Sequence, residues 1–130
     1  MKFDKYCLDT HVLAWYFLDK KTLSSKAKEI TRKIFKGEAR GYISVMVILE
    51  TYYISLKDEK FNFVRFAKSL DDSNIKIVPF DGEILEEALR LSDGIDIHDR
   101  IIVATAVVTG SQLVSKDEKI RSAFPLKTVW

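Results

Sequence analysis

The sequence predicts an α/β fold, a three-layer α/β/α sandwich around a central parallel sheet of four to five strands. Short apolar runs of strand length alternate with helical stretches along the whole chain, the pattern of a parallel sheet covered on both faces. Only two prolines and five glycines occur in 130 residues, so regular structure is dense. At 47% apolar and 31% charged residues the balance is that of a globular protein. The length suits a single domain, 1–130, without repeats or linkers.

Each element follows from local pattern. Lys5 to Leu8 reads as a short buried strand, and His11 to Leu18 (HVLAWYFL) as a helix apolar all round. Ser24 or Ser25 caps a second helix that runs to Phe35, where Gly37 stops it. Gly41 to Ser44 is the second strand and Val45 to Leu56 the helix after it. Phe61 to Leu70 carries Phe63, Phe66, Ala67 and Leu70 on one helical stripe. Ile75 to Val78 is the third strand, closed by Pro79, and Asp81 caps a helix to about Ser92. Asp99 to Val108 is a strongly apolar helix ended by Gly110. Gln112 to Val114 is the fourth strand, Asp117 opens a short helix, and Leu126 to Val129 offers an edge strand.

Composition narrows the functional classes. Cys7 is the one cysteine, so an internal disulfide is excluded and a reducing, intracellular setting is expected. Its place in the first strand makes it a small buried hydrophobe. The N-terminal stretch lacks a signal-peptide pattern and no run approaches a membrane span, so a soluble, cytoplasmic protein is expected. The net charge of +2 is unevenly placed: residues 1–40 carry ten Lys/Arg against five Asp/Glu, residues 41–130 eleven against fourteen. A basic flank beside an acidic centre suits an enzyme acting on a polyanion, although a solvated helix face explains a charge run equally well.

Four acids sit at the joints of these elements: Asp9, Glu50, Asp99 and Asp117. Ligands of a parallel sheet sit beyond the carboxyl ends of its strands, and these positions converge there. Clustered carboxylates repel unless a cation lies between them. Plain structural accounts exist for most: Asp9 as a turn initiator, Asp96 as a helix cap, and Asp99 and Asp117 at the positive ends of helix dipoles. Glu50 resists such an account, because Met46, Val47, Tyr53 and Ile54 surround it at helical spacing and no Lys or Arg lies within reach. Asp96 and Asp99 are three apart and share a helix face if both are helical. Carboxylate oxygens without a Cys/His cluster select Mg²⁺ or Mn²⁺ over zinc. His11 and His98 are the two histidines, better suited to supporting roles than to ligating such ions. Metal held by carboxylates serves phosphoryl chemistry.

These residues resemble the motifs of the PIN-domain nuclease family. YCLDTHVL (6–13) is similar to the family's opening strand, ISVMVILE (43–50) to its second strand and helix, with Ser44 ahead of the glutamate, and DIHDRIIVATAVVTGSQLVSKDEKI (96–120) to its third and fourth motifs. Nearly the whole chain is covered. The resemblance implies a PIN-like fold and a catalytic site in which Asp9, Glu50, Asp99 and Asp117 bind Mg²⁺ or Mn²⁺, with Asp96 as an additional acid. It also implies that Ser115 braces the fourth acid and that Thr10 and His11 are the polar pair after the first, His11 standing where Asn is commoner. A lone PIN domain of this length is similar to VapC toxins, endoribonucleases that are usually homodimeric and restrained by a VapB antitoxin. For an RNA substrate, Lys20, Lys21, Arg40 and Lys116 are the candidate phosphate contacts.

Other readings make different demands. An RNA-processing nuclease outside a toxin system would carry the same acids, and a silent RNA- or protein-binding module would use the same groove without cleavage. A haloacid-type phosphatase wants Asp-x-Asp at the first strand, where this chain has Asp9-Thr10-His11. Tyr52, Tyr53, Phe61, Phe63 and Phe66 are many aromatics for two consecutive helices, chiefly core, with some available for a dimer or antitoxin interface.

Overall fold

A computed structural model describes residues 4–123 and 128–130. Its elements are β1 (Lys5–Leu8), α1 (Thr10–Phe17), α2 (Ser25–Phe35), β2 (Arg40–Ser44), α3 (Val45–Lys57), α4 (Phe63–Asp71), β3 (Ile75–Val78), α5 (Gly82–Arg90), α6 (Ile97–Thr109), β4 (Gln112–Val114), α7 (Glu118–Ala123) and β5 (Thr128–Val129). The five strands form one sheet in the order β3-β2-β1-β4-β5, every pairing parallel. Helices flank it, giving the expected α/β/α sandwich.

The inner strands are short continuous apolar runs because both faces of a parallel sheet are covered. Cys7 and Leu8 of β1, Ile43 of β2, and Leu113 and Val114 of β4 have no exposed surface. α6 packs across β1, β2 and β4, and its central residues Ile101–Ala106 are buried. Beside α1, Phe17 lies 5.2 Å from Phe66 and 5.3 Å from Phe35, both edge to face. β2 must pass very close to α2: a Cβ on Gly41 would meet Ile34 Cγ2 at 2.6 Å. Gly110, at φ +64°, ends α6 in the left-handed conformation that glycine adopts without penalty.

Several boundaries move by a cap. α4 starts at Phe63 rather than Phe61, because the Asn62 side chain accepts the Arg65 N–H. α6 starts at Ile97 rather than Asp99, because the Asp96 carboxylate accepts the N–H groups of His98 and Asp99. α7 starts after Asp117, whose Oδ1 accepts the N–H groups of Lys119 and Ile120. Leu126 and Lys127 of the expected last strand lie outside the described residues; Thr128 and Val129 pair with β4.

The topology places the site. From β1 the chain steps to β2 and β3 in one direction, then returns through α5 and α6 to β4 on the other side of β1. Such a switch point opens a crevice at the carboxyl ends of its two strands. Asp9 directly follows β1, and Asp117 follows β4 by three residues.

Candidate active site

A cavity of about 580 Å³ opens at this switch point, and Asp9, Glu50, Asp96, Asp99 and Asp117 all line it. Four separate elements deliver them: Asp9 from the β1–α1 junction, Glu50 from the middle of α3, Asp96 and Asp99 from the start of α6, and Asp117 from the β4–α7 loop. Asp9 is 6% exposed although it stands as the residue before α1, and its side chain caps nothing there. Instead it accepts a 2.7 Å hydrogen bond from the buried Ser115 hydroxyl. The same hydroxyl accepts the Asp117 N–H at 3.1 Å, so Ser115 ties the first acid to the fourth. Thr10, also buried, donates to Glu50 Oε1 at 2.7 Å. Ser44 caps α3 by accepting the Met46 N–H at 3.1 Å, and so acts on Glu50 only through the helix.

The capping account holds for Asp96 and Asp117, and Asp99, in the first turn of α6, keeps its expected place at the positive end of the helix dipole; Asp9 and Glu50 have no such account. Asp96 and Asp117 each engage backbone N–H groups with one oxygen. Asp9, Glu50 and Asp99 cap no helix with their side chains. Glu50 also departs from the expectation of an acid sunk in apolar surroundings. Its side chain is 29% exposed and lines the cavity, and of the apolar residues on its helix Leu49, Tyr52 and Tyr53 face outward while Val47 is buried. An amphipathic reading fails for α3 because both of its faces are apolar.

The electrostatics follow from crowding. Burial, then the charges of Asp9, Asp96, Asp117 and Glu50, push the Asp99 carboxyl up to about 6. Burial raises Asp9 above its usual range, against the lowering pull of the Ser115 hydrogen bond and the His11 ring. Asp96 is held below its usual range by the N–H of Asp99, with a further contribution from that of His98. Hard oxygen donors and a carboxylate strained by like charge fit a divalent cation such as Mg²⁺ or Mn²⁺. Among the described residues, no three Asp, Glu, His or Cys side chains stand together as a group that could hold a metal ion. The acids stand as an open rim, with Asp9 and Glu50 held on hydroxyls and Asp96 and Asp117 on backbone N–H groups.

The candidate cations divide. Lys116 lines the cavity. Arg40 opens β2, at the opposite end of the sheet, where its N–H bonds to the Asp4 carbonyl. Lys20 and Lys21 follow the far end of α1 and do not line the cavity. Position near an acid in the sequence carries no information about which end of an element a cation occupies.

His11 is exposed and lines the cavity, its ring 5.5 Å from that of Trp15. His98 Nδ1 lies 3.7 Å from Glu50 Oε2, an ion pair when the imidazole is protonated. Trp15 and Trp130 also line the cavity and escaped the reading of the sequence. Trp15 follows His11 by four residues, one helical turn, and that spacing was a usable signal. Trp130 had none, since only the pairing of β5 with β4 brings it there.

The chain belongs to the PIN domain family, whose sequence pattern matches residues 6–123. No curated protein sequence matches it. Solved structures share its fold. VapBC2 from Rickettsia felis, bound to a promoter DNA fragment, is 18% identical with a TM-score of 0.70 over 96% of this chain and 97% of that one. A toxin–antitoxin complex from Klebsiella pneumoniae is 22% identical with a TM-score of 0.69 over 96% of both chains. VapBC-1 from nontypeable Haemophilus influenzae is 14% identical with a TM-score of 0.69 over 95% of both.

Proposed function

We propose that this chain is a metal-dependent endoribonuclease of the VapC toxin type, a cytoplasmic homodimer restrained by a VapB-like antitoxin. One observation carries the reading: acids from four separate elements line one cavity at the sheet's switch point, and capping does not account for Asp9, Glu50 or Asp99. Family membership and neighbours that are toxin–antitoxin complexes support it.

Asp9 and Asp99 would hold Mg²⁺ or Mn²⁺, with Glu50 and Asp117 completing the site and Asp96 beside them. Such an ion, when bound, neutralises charge building on the phosphate and lowers the pKa of a water. Ser115 fixes the Asp9 carboxylate and Thr10 fixes Glu50, so neither must be ordered when substrate arrives. Glu50 would orient the attacking water and take its proton. Lys116 would contact a phosphate. Lys20, Lys21 and Arg40 would touch only RNA that extends well beyond the cavity.

Exposed apolar residues on α3 support the partner assignments. Val45, Leu49, Tyr52, Tyr53 and Leu56 are each more than a third exposed, on a helix next to the site. Among the described residues no helix is long and apolar enough to cross a membrane.

The test is cleavage of a mixed RNA pool by the intact chain in Mg²⁺, in EDTA, and as Asp9→Asn. Cleavage lost in both altered conditions is expected. Cleavage indifferent to EDTA overturns the reading.

A further inference from the structure

The acids line only part of the cavity. Another wall is aromatic, built from Trp15 of α1, Trp130 after β5, and His11 one turn ahead of Trp15. The two indoles meet edge to face, with centroids 6.0 Å apart and planes at 70°. The His11 ring lies 5.5 Å from Trp15, tilted by 47°. The Lys116 ammonium stands 5.9 Å from the centre of the Trp15 ring. Both indoles remain partly exposed, and they are the only two tryptophans in the chain. Phosphodiester hydrolysis by carboxylates gives an indole no task. Stacking does: every nucleobase has a π face, and aromatic side chains beside a cation are how proteins hold unpaired nucleotides.

We propose that Trp15 and Trp130 form a stacking wall that seats one unpaired base beside the scissile phosphate, with Lys116 on the flanking phosphate. The proposal rests on the nuclease reading and assigns that site a requirement for an exposed base. A base inside a duplex spends its faces on its neighbours, so the wall admits only nucleotides that are already unstacked or easily splayed out. Selection of this kind responds to base exposure more than base identity. A purely structural role, Trp130 pinning the end of the sheet to α1, explains the edge-to-face contact. It leaves unexplained why both indoles and the lysine border the cavity that holds the acids.

The tryptophans themselves supply the test, because all indole emission of the chain comes from this wall. The intact chain carrying Asp99→Asn, to suppress cleavage, is titrated in Mg²⁺ with a short single-stranded oligoadenylate and with an abasic ribose-phosphate chain of equal length. Saturable quenching by the oligoadenylate, and little by the abasic chain, is expected. Adding Trp15→Leu, which keeps apolar bulk but removes the ring, should weaken oligoadenylate binding by roughly ten- to a hundredfold, and Trp15→Phe should recover most of it. Equal affinity for base-bearing and abasic chains, unquenched emission at saturation, or no binding at all overturns the proposal. If Trp15→Leu fails to fold, the comparison of the two ligands on native indoles still decides. Wild-type cleavage in Mg²⁺ with unquenched indoles would sink the stacking wall alone; quenching without cleavage would sink the nuclease reading alone.

Discussion

Asp99 is the residue on which charge crowding falls most heavily. Its carboxyl titrates near 6 rather than 3.8 because it is half-buried among four other acids. A raised carboxylate pKa means that the folded chain keeps a proton which the unfolded chain has already lost. Metal-free stability therefore falls as pH rises between these two values, and the full penalty stands above the upper one. After allowance for solvent screening it amounts to about 1–2 kcal/mol. Asp99→Asn removes it, so urea unfolding in EDTA at about pH 7.5 should find that variant more stable by this amount, with the difference vanishing near pH 4. Ser115 makes a second prediction. Ser115→Ala frees the Asp9 carboxylate and the Asp117 N–H together, and RNA cleavage should drop roughly 10–100-fold with the fold retained by circular dichroism. Unchanged turnover would remove Ser115 from the site.

Among the elements, α6 carries two functions at once. Its apolar middle is core, and its first turn presents Asp99 to the cavity. Arg100, next in sequence, points away and donates to the carbonyls of Ala88, Leu91 and Ser92, which clamps the end of α5 to the start of α6. Arg100→Met removes the donor from the partly buried carbonyls of Ala88 and Leu91, and a loss of roughly 1–2 kcal/mol in denaturant unfolding is expected. Cleavage should weaken as well, since the turn that aims Asp99 loosens. The apolar periodicity of α6 and the short runs of the strands were legible in the chain because burial on both faces leaves a dense apolar signature. Its start was less legible: Asp96 has the capping chemistry, and the helix begins at Ile97, two residues before Asp99. The character of α3 misled more seriously. Apolar residues on both faces suggested burial, whereas half of them are exposed, because composition does not separate a core face from an outward one.

At the scale of the whole molecule, the meeting of two of the acids could be inferred from parallel strand direction alone, whereas Glu50, Asp96 and Asp99 depend on how α3 and α6 pack. Acids that follow parallel strands must share an edge, so Asp9 and Asp117 needed no side-chain detail. The cations escaped the same logic because Arg40 begins its strand and so lies at the other end of the sheet. Trp130 reaches the cavity only through the pairing of β5 with β4, which no local pattern announces. Exposed apolar surface on α3 makes self-association the expectation, and sedimentation should give about twice the 15.0 kDa of one chain. A single-chain mass at every concentration would contradict the homodimer.

The central claim, that these acids meet around a divalent ion, is tested most directly by calorimetric titration of Mn²⁺ into the native chain and into Asp99→Asn. Saturable binding to the native chain, strongly weakened in the variant and weakened again below about pH 6 as Asp99 takes up its proton, is the predicted result. Equal Mn²⁺ affinity in the two proteins, or no binding by the native chain, would contradict it.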